Sequence, residues 1–220
     1  MGGRQALKDK LVVFDFDGTV IKRDSFLPLV FFFATRMWRH YLLLPFSLFF
    51  VMYKVNLLST FALKRIFAFS FLRHRKFDQV KSLTLQFWHL KFSKLVDPEI
   101  LSIFHNSLKE GKRVIINTAS FSFAVKEFCD FLSVSAEVLG THAAIRGGYF
   151  TGKIGEECRG EIKVKKLHGL IGSRDNYFIE VFSDNSSDVP LFSIADIAYK
   201  VERKGRDRNI RIVNYTGVEI

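Results

Sequence analysis

Residues 11–19 of the chain, Leu-Val-Val-Phe-Asp-Phe-Asp-Gly-Thr, decide how the rest of the sequence is interpreted. The four apolar residues predict a buried parallel strand, and the acids and glycine after them predict a functional loop. Residues two apart in an extended segment point to the same side, so Asp15 and Asp17 can face one reaction centre. Two carboxylates this close repel each other, so either one of them is protonated or a cation binds, and a hard cation such as Mg²⁺ suits their oxygens. An ordinary acidic turn is the alternative.

Further apolar runs alternate with amphipathic stretches along the chain. This alternation predicts an α/β fold with a mostly parallel sheet, a Rossmann-like core of three layers. The predicted strands after the first are 113–117, 137–139, 177–182 and 197–201, the last as an edge strand. The predicted helices are 98–110, 122–132, 163–171 and 188–194, and Gly147-Gly148 predicts a hairpin beside the sheet.

A second candidate site, Thr118-Ala119-Ser120, directly follows the predicted strand 113–117. Hydroxyl and free backbone N–H groups at such a turn can hold phosphoryl oxygens. The alternative is that Ser120 only caps the next helix.

The third candidate is Lys163, whose ammonium would neutralise charge on a phosphoryl group and on neighbouring acids. Lys165 and Lys166 are nearby competitors, and a lone helical lysine is usually a solvated surface residue.

The fourth candidate is the pair Asp184 and Asp188, in a loop after the predicted strand 177–182. Asp184 could bind the cation directly, and Asp188 could bind it through water or orient Lys163. A simple acidic helix cap is the alternative. Three of the four sites follow parallel strands and one opens a helix, so all four are expected to meet at the ligand-binding edge of the sheet.

Together these motifs resemble the haloacid dehalogenase superfamily, and within it the phosphoserine-phosphatase-type branch with a helical cap. The resemblance covers residues 11–192 and implies a core of residues 1–23 and 97–220, with an inserted apolar, all-helical cap at 24–96. A second resemblance, to the phosphatidylglycerophosphatase C family of bacteria, rests on the apolar cap, CRGEIKVKKL and SDNSSDVPLF.

The resemblance also implies roles for the candidate residues. Asp15 would be the nucleophile that forms an aspartyl phosphate, and Asp17 the acid and base. Thr118, Ala119, Ser120 and Lys163 would bind the phosphoryl group, with Thr118 and Lys163 stabilising its charge. Mg²⁺ would be held among Asp15, Asp17, Asp184 and Asp188.

Composition and charge point to an anionic partner. The net charge is +11, from 33 Lys and Arg against 22 Asp and Glu. A very apolar stretch at 41–53 is shorter than the roughly 20 residues of a membrane span. Trp38, Tyr41 and Tyr53 lie near its basic borders, which favours contact with an anionic membrane surface. A cap core rich in Phe is the alternative.

The N-terminal residues 1–10 show no secretory signal, and the two cysteines, Cys129 and Cys158, are expected to be reduced thiols. These features predict a cytoplasmic protein, peripheral to or anchored at the inner membrane. The favoured function is a phosphatase for a phosphorylated, lipid-type substrate. The alternatives are a soluble phosphatase for a small ester such as phosphoserine, a phosphotransferase, and a non-catalytic basic nucleic-acid-binding protein, although nucleic acid is not expected as a partner.

Overall fold

The structure, a computed structural model, describes residues 8–37, 40–204 and 209–214. Its strands are β1 (Asp9–Phe14), β2 (Arg113–Phe121), β3 (Glu137–Thr141), β4 (Ala143–Arg146), β5 (Tyr149–Ile154), β6 (Tyr177–Ser183), β7 (Ile197–Lys204) and β8 (Asn209–Asn214). Its helices are α1 (Phe26–Arg36), α2 (Leu43–Lys54), α3 (Thr60–Phe67), α4 (Phe77–Leu95), α5 (Pro98–Lys109), α6 (Ser122–Leu132), α7 (Glu161–Ile171) and α8 (Val189–Ser193). A short π-helical segment, Ala68–Leu72, continues α3.

The main sheet has the strand order β3-β2-β1-β6-β7-β8. Strands β3, β2, β1, β6 and β7 run parallel, and β8 pairs antiparallel with β7. The predicted α/β class with a mostly parallel sheet is therefore confirmed. The hairpin predicted at Gly147-Gly148 is also present, since these glycines join β4 to β5 outside the main sheet.

Strand β1 lies at the centre of the sheet and is covered on both faces. Val12 and Phe14 belong to one buried cluster, and Leu11 and Val13 belong to the other. This alternation explains why the run is apolar without interruption, as expected for a parallel strand buried on both sides.

The prediction that residues 197–201 form an edge strand is wrong, because β8 pairs along the outer side of β7. The sequence Asn-Ile-Arg-Ile-Val-Asn of β8 contains short apolar alternation that is compatible with a strand. The sequence interpretation placed no strand after residue 201, so it missed β8.

The helices α1 to α4, all within residues 24–96, pack against the sheet domain through aromatic rings. Phe67 lies 5.8 Å from Phe121 between ring centroids, and Phe16 lies 5.7 Å from Trp88. One buried hydrophobic cluster therefore runs from these helices into the sheet domain. The division into a core at 1–23 and 97–220 and a cap at 24–96 stays a prediction.

Helix α2 has a different environment from its neighbours, because Phe46 is its only buried residue. Leu44, Leu48 and Val51 of this helix are 80%, 62% and 56% exposed, and Val55, which directly follows the helix, is 57% exposed. Their spacing of i, i+4, i+7 and i+11 places them on one face, which we call the apolar stripe. Among the described residues, no helix combines the length and the apolar character needed to cross a bilayer. Trp38 lies outside the described residues.

Candidate active site

The first functional loop leaves the central strand β1 at Asp15. The backbone N–H of Asp15 donates to the carbonyl of Phe182 at 2.8 Å, so its position is fixed by the neighbouring strand β6. The side chain of Asp15 is buried at the carboxyl edge of the sheet. Phe16 points the other way, into a cluster with Trp88 and Phe128. The alternation predicted for this segment is thus present.

Gly18 lets the loops after β1 and β6 approach each other. It has a φ of +84°, and a Cβ at this position would overlap with the carboxylate of Asp184. The hydroxyl of Thr19 donates to Asp184 Oδ1 at 3.3 Å, and the backbone N–H of Asp184 donates to the Thr19 hydroxyl oxygen at 3.0 Å. The structure therefore places Asp184 directly beside the Asp15 loop.

Lys163 forms the centre of a buried charge cluster. It lies in the first turn of α7, and its Nζ donates to Asp15 Oδ1 at 2.8 Å and to Asp188 Oδ2 at 2.5 Å. Ser183 also donates to Asp188 Oδ2, at 2.6 Å. The contact with Asp188 is the orienting role that the sequence predicted as one alternative. Lys163 is 2% exposed, so the alternative that it is a solvated surface lysine is wrong.

The hydroxyl residues of strand β2 lie on the other side of Asp17. Ser120 donates a hydrogen bond to Asp17 Oδ2, and the backbone N–H of Ser25 donates to Asp17 Oδ1 at 2.7 Å. The backbone N–H of Ser120 donates to the Thr118 hydroxyl oxygen at 3.0 Å. Ser120 is therefore not a helix cap: α6 begins at Ser122 with no side-chain cap.

Strand β2 also extends further than predicted, through Phe121, with a register shift between Asn117 and Phe121. Irregularities of this kind redirect side chains and are common next to active sites. Here the irregular segment carries Thr118, Ala119 and Ser120 to the same edge as Asp15 and Asp17.

Burial and neighbouring acids raise the pKa of both carboxyl groups of the first loop. The pKa of Asp15 rises to about 7 because it is buried and lies near Asp188 and Asp184, although Lys163 opposes the rise. The pKa of Asp17 rises to about 6 through burial and the charge of Asp24. Burial alone would lower the pKa of Lys163, but Asp15 and Asp188 outweigh it and raise the pKa.

The donor set fits a Mg²⁺ ion. No group of three His, Cys, Asp or Glu side chains in the described part of the chain is arranged as a metal site. Mg²⁺ does not need one, because it usually keeps several waters and binds through one or two carboxylates and substrate phosphate. Asp15 and Asp184 offer two such carboxylates, and the Asp17 carbonyl could add a third oxygen. Asp188 Oδ1 is buried without a hydrogen-bond partner among the described residues, so this acidic edge has unused acceptor capacity.

The sequence interpretation missed Lys64, which it treated only as a basic residue bordering the apolar stretch. Lys64 is buried on α3, and its Nζ donates to the carbonyl of Ala119 at 2.9 Å and to Glu157 Oε1 at 2.6 Å. The helical spacing from Leu63 and Phe67, both buried, could have placed Lys64 on the inward face.

The sequence interpretation also missed Asn117 and Cys158, whose hydrogen bonds support the backbone of Lys163. The side-chain amide of Asn117 donates to the backbone carbonyl of Lys163 at 3.0 Å. The thiol of Cys158, fully buried and unpaired as predicted, donates to the Asn117 side-chain carbonyl at 3.2 Å. These contacts fix the start of α7 against β2, and so help to fix the ammonium of Lys163.

The sheet edge defines the class of protein: an α/β enzyme whose site is built on buried carboxylates, a paired lysine and hydroxyl groups. The model of the haloacid dehalogenase-like hydrolase family matches residues 12–193, and the chain belongs to this family. The family predicted from the sequence is confirmed. Phosphatases of this family generally use Mg²⁺.

Individual relatives are more distant. Protein CicA of Caulobacter vibrioides is 27% identical over 199 residues, which cover 89% of this chain and 87% of CicA. A Bordetella pertussis protein of unknown function has a similar fold, with a TM-score of 0.75, 18% identity, and coverage of 87% of this chain and 89% of that one. A phospho-aspartyl intermediate analogue of phosphoserine phosphatase matches with a TM-score of 0.53, 18% identity, and coverage of 87% and 86%. The family match shows a hydrolase, and these structures show that its fold is shared with phosphoserine phosphatases.

Proposed function

We propose that this chain is a Mg²⁺-dependent phosphomonoesterase that acts through a phosphorylated Asp15, and that its substrate is a membrane lipid phosphate. The observation that carries the chemistry is the buried contact of Lys163 with Asp15 and Asp188 at the sheet edge, beside Asp184. Phosphoryl transfer depends mainly on positioning and charge stabilisation, and this cluster offers both.

The first step transfers the phosphoryl group to the enzyme. A carboxylate oxygen of Asp15 forms a bond to phosphorus while the bond to the leaving oxygen breaks, and Asp17 donates its proton to that oxygen. Burial and the charge of Asp24 raise the pKa of Asp17 to about 6, so this carboxyl group takes up a proton more readily than an ordinary aspartate does. Lys163 and Thr118 stabilise the charge on the equatorial oxygens, Lys163 through its ammonium and Thr118 through its hydroxyl group.

The second step returns Asp15 to its starting state. Asp17, now ionised, takes a proton from a water molecule whose oxygen attacks phosphorus, and the bond between phosphorus and Asp15 breaks. Bound Mg²⁺ would offset the repulsion between the acids and the phosphate. Asp15, Asp184 and the Asp17 carbonyl are the groups proposed to hold it.

Asp15→Asn tests the covalent step, because a carboxamide is a poor nucleophile. With p-nitrophenyl phosphate and Mg²⁺ we expect turnover to fall by roughly 10³-fold or more. Asp9→Asn, at an exposed acid of β1, is the matched control and should keep wild-type turnover. Full activity of the Asp15 variant would overturn the mechanism. Chelation should abolish wild-type activity, and added Mg²⁺ should restore it.

The lipid assignment rests on the apolar stripe of α2. Four large apolar side chains are more than half exposed on one helix face, next to Lys54. Soluble proteins seldom leave contiguous apolar patches in water unless another surface covers them. An anionic membrane supplies both the apolar contact and the charge that suits a chain of net charge +11. Phosphatidylglycerophosphate, indicated by the sequence resemblance, is the proposed substrate.

Substrate choice separates this proposal from the soluble alternative, a phosphoserine-type phosphatase, which the fold likeness favours. Wild-type protein is assayed with phosphatidylglycerophosphate in mixed micelles and with phosphoserine in buffer, both with Mg²⁺. We expect turnover of the lipid phosphate and little of phosphoserine. The opposite pattern would overturn the lipid assignment and leave the phosphatase mechanism standing. Membership of a hydrolase family already argues against a non-catalytic nucleic-acid-binding protein.

A further inference from the structure

A large groove opens on the side of α3 that faces away from the catalytic edge. Its volume is about 760 Å³, within the range of roughly 300–1,000 Å³ that is typical of ligand pockets. Helices α2 and α3, the π-helical segment and strand β5 form its walls. The lining residues are Phe49, Phe61, Ala62, Arg65, Ile66, Phe69, Ser70, Gly152, Lys153 and Ile154.

The groove is apolar with basic residues at its opening. Arg65 and Lys153 are exposed and make no ion pair with any acid among the described residues, and no acid lines the groove. The guanidinium of Arg73 lies 4.7 Å from the ring centroid of Phe69, which adds a third cation beside the opening. An apolar floor with unpaired cations at the rim suits an amphiphile with an anionic head group.

The groove is separate from the catalytic centre, although both use helix α3. Phe61, Arg65 and Phe69 lie one helical turn apart on the groove side. Lys64 extends the other way, to Ala119 and Glu157 at the catalytic edge. An occupant of the groove therefore does not need to contact Asp15.

The groove shares helix α2 with the proposed membrane-binding surface, since Phe49, which lines the groove, belongs to the helix that carries the apolar stripe. Gly152 lets strand β5 approach closely, since a Cβ there would lie 2.9 Å from the Cβ of Arg73. The far wall of the groove is thus held against the π-helical segment.

We propose that this groove binds an acyl chain of an anionic phospholipid from the membrane surface, with Arg65 and Lys153 contacting the head-group phosphate. The inference rests on the proposed membrane association but not on the phosphatase chemistry. Such a site would anchor the enzyme to an individual lipid of the membrane surface.

The test uses a lipid that a phosphomonoesterase cannot hydrolyse. The full chain is titrated calorimetrically with dioctanoyl-phosphatidylmethanol, an anionic phosphodiester, below its micelle concentration, and in parallel with dioctanoyl-phosphatidylcholine. We expect saturable binding of one anionic lipid and at least tenfold weaker binding of the zwitterionic one. The double variant Arg65→Glu, Lys153→Glu should weaken anionic binding at least tenfold. Its matched control is Lys109→Glu, Lys126→Glu, which reverses two exposed lysines on α5 and α6.

A second variant, Ile66→Trp, fills the groove without changing its charge and should also weaken binding at least tenfold. Circular dichroism and thermal melting show whether each variant is folded. Unchanged binding in both groove variants would overturn the proposal, as would equal affinity for the two lipids. Asp15→Asn should bind the lipid as the wild type does; loss of binding there, with groove variants unaffected, would place the lipid in the catalytic centre and overturn the groove assignment. Wild-type hydrolysis of p-nitrophenyl phosphate reports on the phosphatase proposal independently.

Discussion

The carboxyl edge of the sheet buries charged side chains, whereas the outer face of α2 exposes apolar ones. At the sheet edge, Asp15, Lys163 and Asp188 are charged groups that are buried. On α2, Leu44 and Leu48 are apolar groups that are exposed. Buried charges and exposed apolar patches are the two departures from ordinary burial that carry information about function.

The two regions differ in how the unfavourable burial of charge, or exposure of apolar surface, is offset. At the sheet edge the compensation is internal, because Lys163 contacts two carboxylates and Ser183 contacts one of them. On α2 nothing in the described part of the chain covers the apolar stripe. A buried charge needs partners within the fold, whereas an exposed apolar face needs one outside it. The comparison teaches that catalysis and location are encoded separately in this molecule.

Of the variants that test this comparison, the one that removes the cation of the sheet edge is expected to have the largest effect. Lys163→Met should lower kcat for p-nitrophenyl phosphate by about 10²–10³-fold, because one preorganised charge-stabilising group is lost. Binding to anionic liposomes should stay unchanged, since α2 is untouched. Lys165→Met, at a lysine whose side chain is 69% exposed, is the matched control. If the Lys163 variant lost membrane binding as well while remaining folded, the separation of the two regions would be wrong.

A smaller effect is expected at Lys64, which links the helices of residues 24–96 to the sheet edge. Lys64→Met removes the contacts with Ala119 and Glu157, so the phosphate-binding segment of β2 loses a support. Misplacing catalytic groups in this way can cost up to about 10²-fold in kcat.

A double-mutant cycle with Glu157→Gln separates positioning from general destabilisation. Part of the Lys64 effect comes from leaving Glu157 without its cation, so the double variant should recover part of the lost activity. The kcat and KM for the soluble ester are measured for all four proteins. Strictly additive effects would show that the ion pair does not position the sheet edge.

The sequence predicted the sheet edge well because its signals are local. Three of the four predicted sites directly follow an apolar strand and the fourth opens a helix, and parallel strands bring the residues that follow them to one edge. The predicted sites at Asp15, Thr118, Lys163 and Asp184 accordingly meet at that edge. The helix-cap alternative for Ser120 is wrong because β2 continues through a register shift to Phe121, which no local sequence pattern indicates; its role in phosphoryl binding stays a prediction.

Non-local contacts account for the other misses. The outer strand β8 depends on pairing with β7, and its basic surroundings masked the weak alternation. Lys64 contacts residues 55 and 93 positions away, so only its place on the buried face of α3 could have indicated a role. Composition likewise could not separate the apolar residues of α2 from those of α3. Phe67 is fully buried and Leu44 is 80% exposed, although both lie in apolar segments.

A moderate effect is expected on the apolar stripe. Leu48→Asp should weaken binding to anionic liposomes about tenfold or more, because burying a Leu side chain contributes about 1.5–3 kcal/mol. Activity on p-nitrophenyl phosphate should be unchanged. Leu90→Asp is the matched control, since Leu90 is a 54% exposed leucine on α4, outside the stripe. Liposome sedimentation at low salt measures the binding. Equal losses in the two variants would show that the stripe has no special role, and a wild-type protein that stays in the supernatant would remove the membrane proposal.

The smallest effect is expected for the native thiols, which should not react at all. Burial raises the pKa of Cys129 to about 12 and that of Cys158 to about 11. The thiolate is the reactive form, so at pH 8 both groups stay protonated as well as shielded from iodoacetamide. Leu48→Cys places a thiol on the stripe, where its pKa should lie near the free value of about 8.5 and alkylation should be rapid. Anionic liposomes should slow that reaction because they cover the stripe. Mass spectrometry follows each site. Rapid labelling of Cys158 in the folded wild type would mean that the contacts of Cys158 and Asn117 with Lys163 open to solvent, which would contradict the burial of the charged groups at the sheet edge.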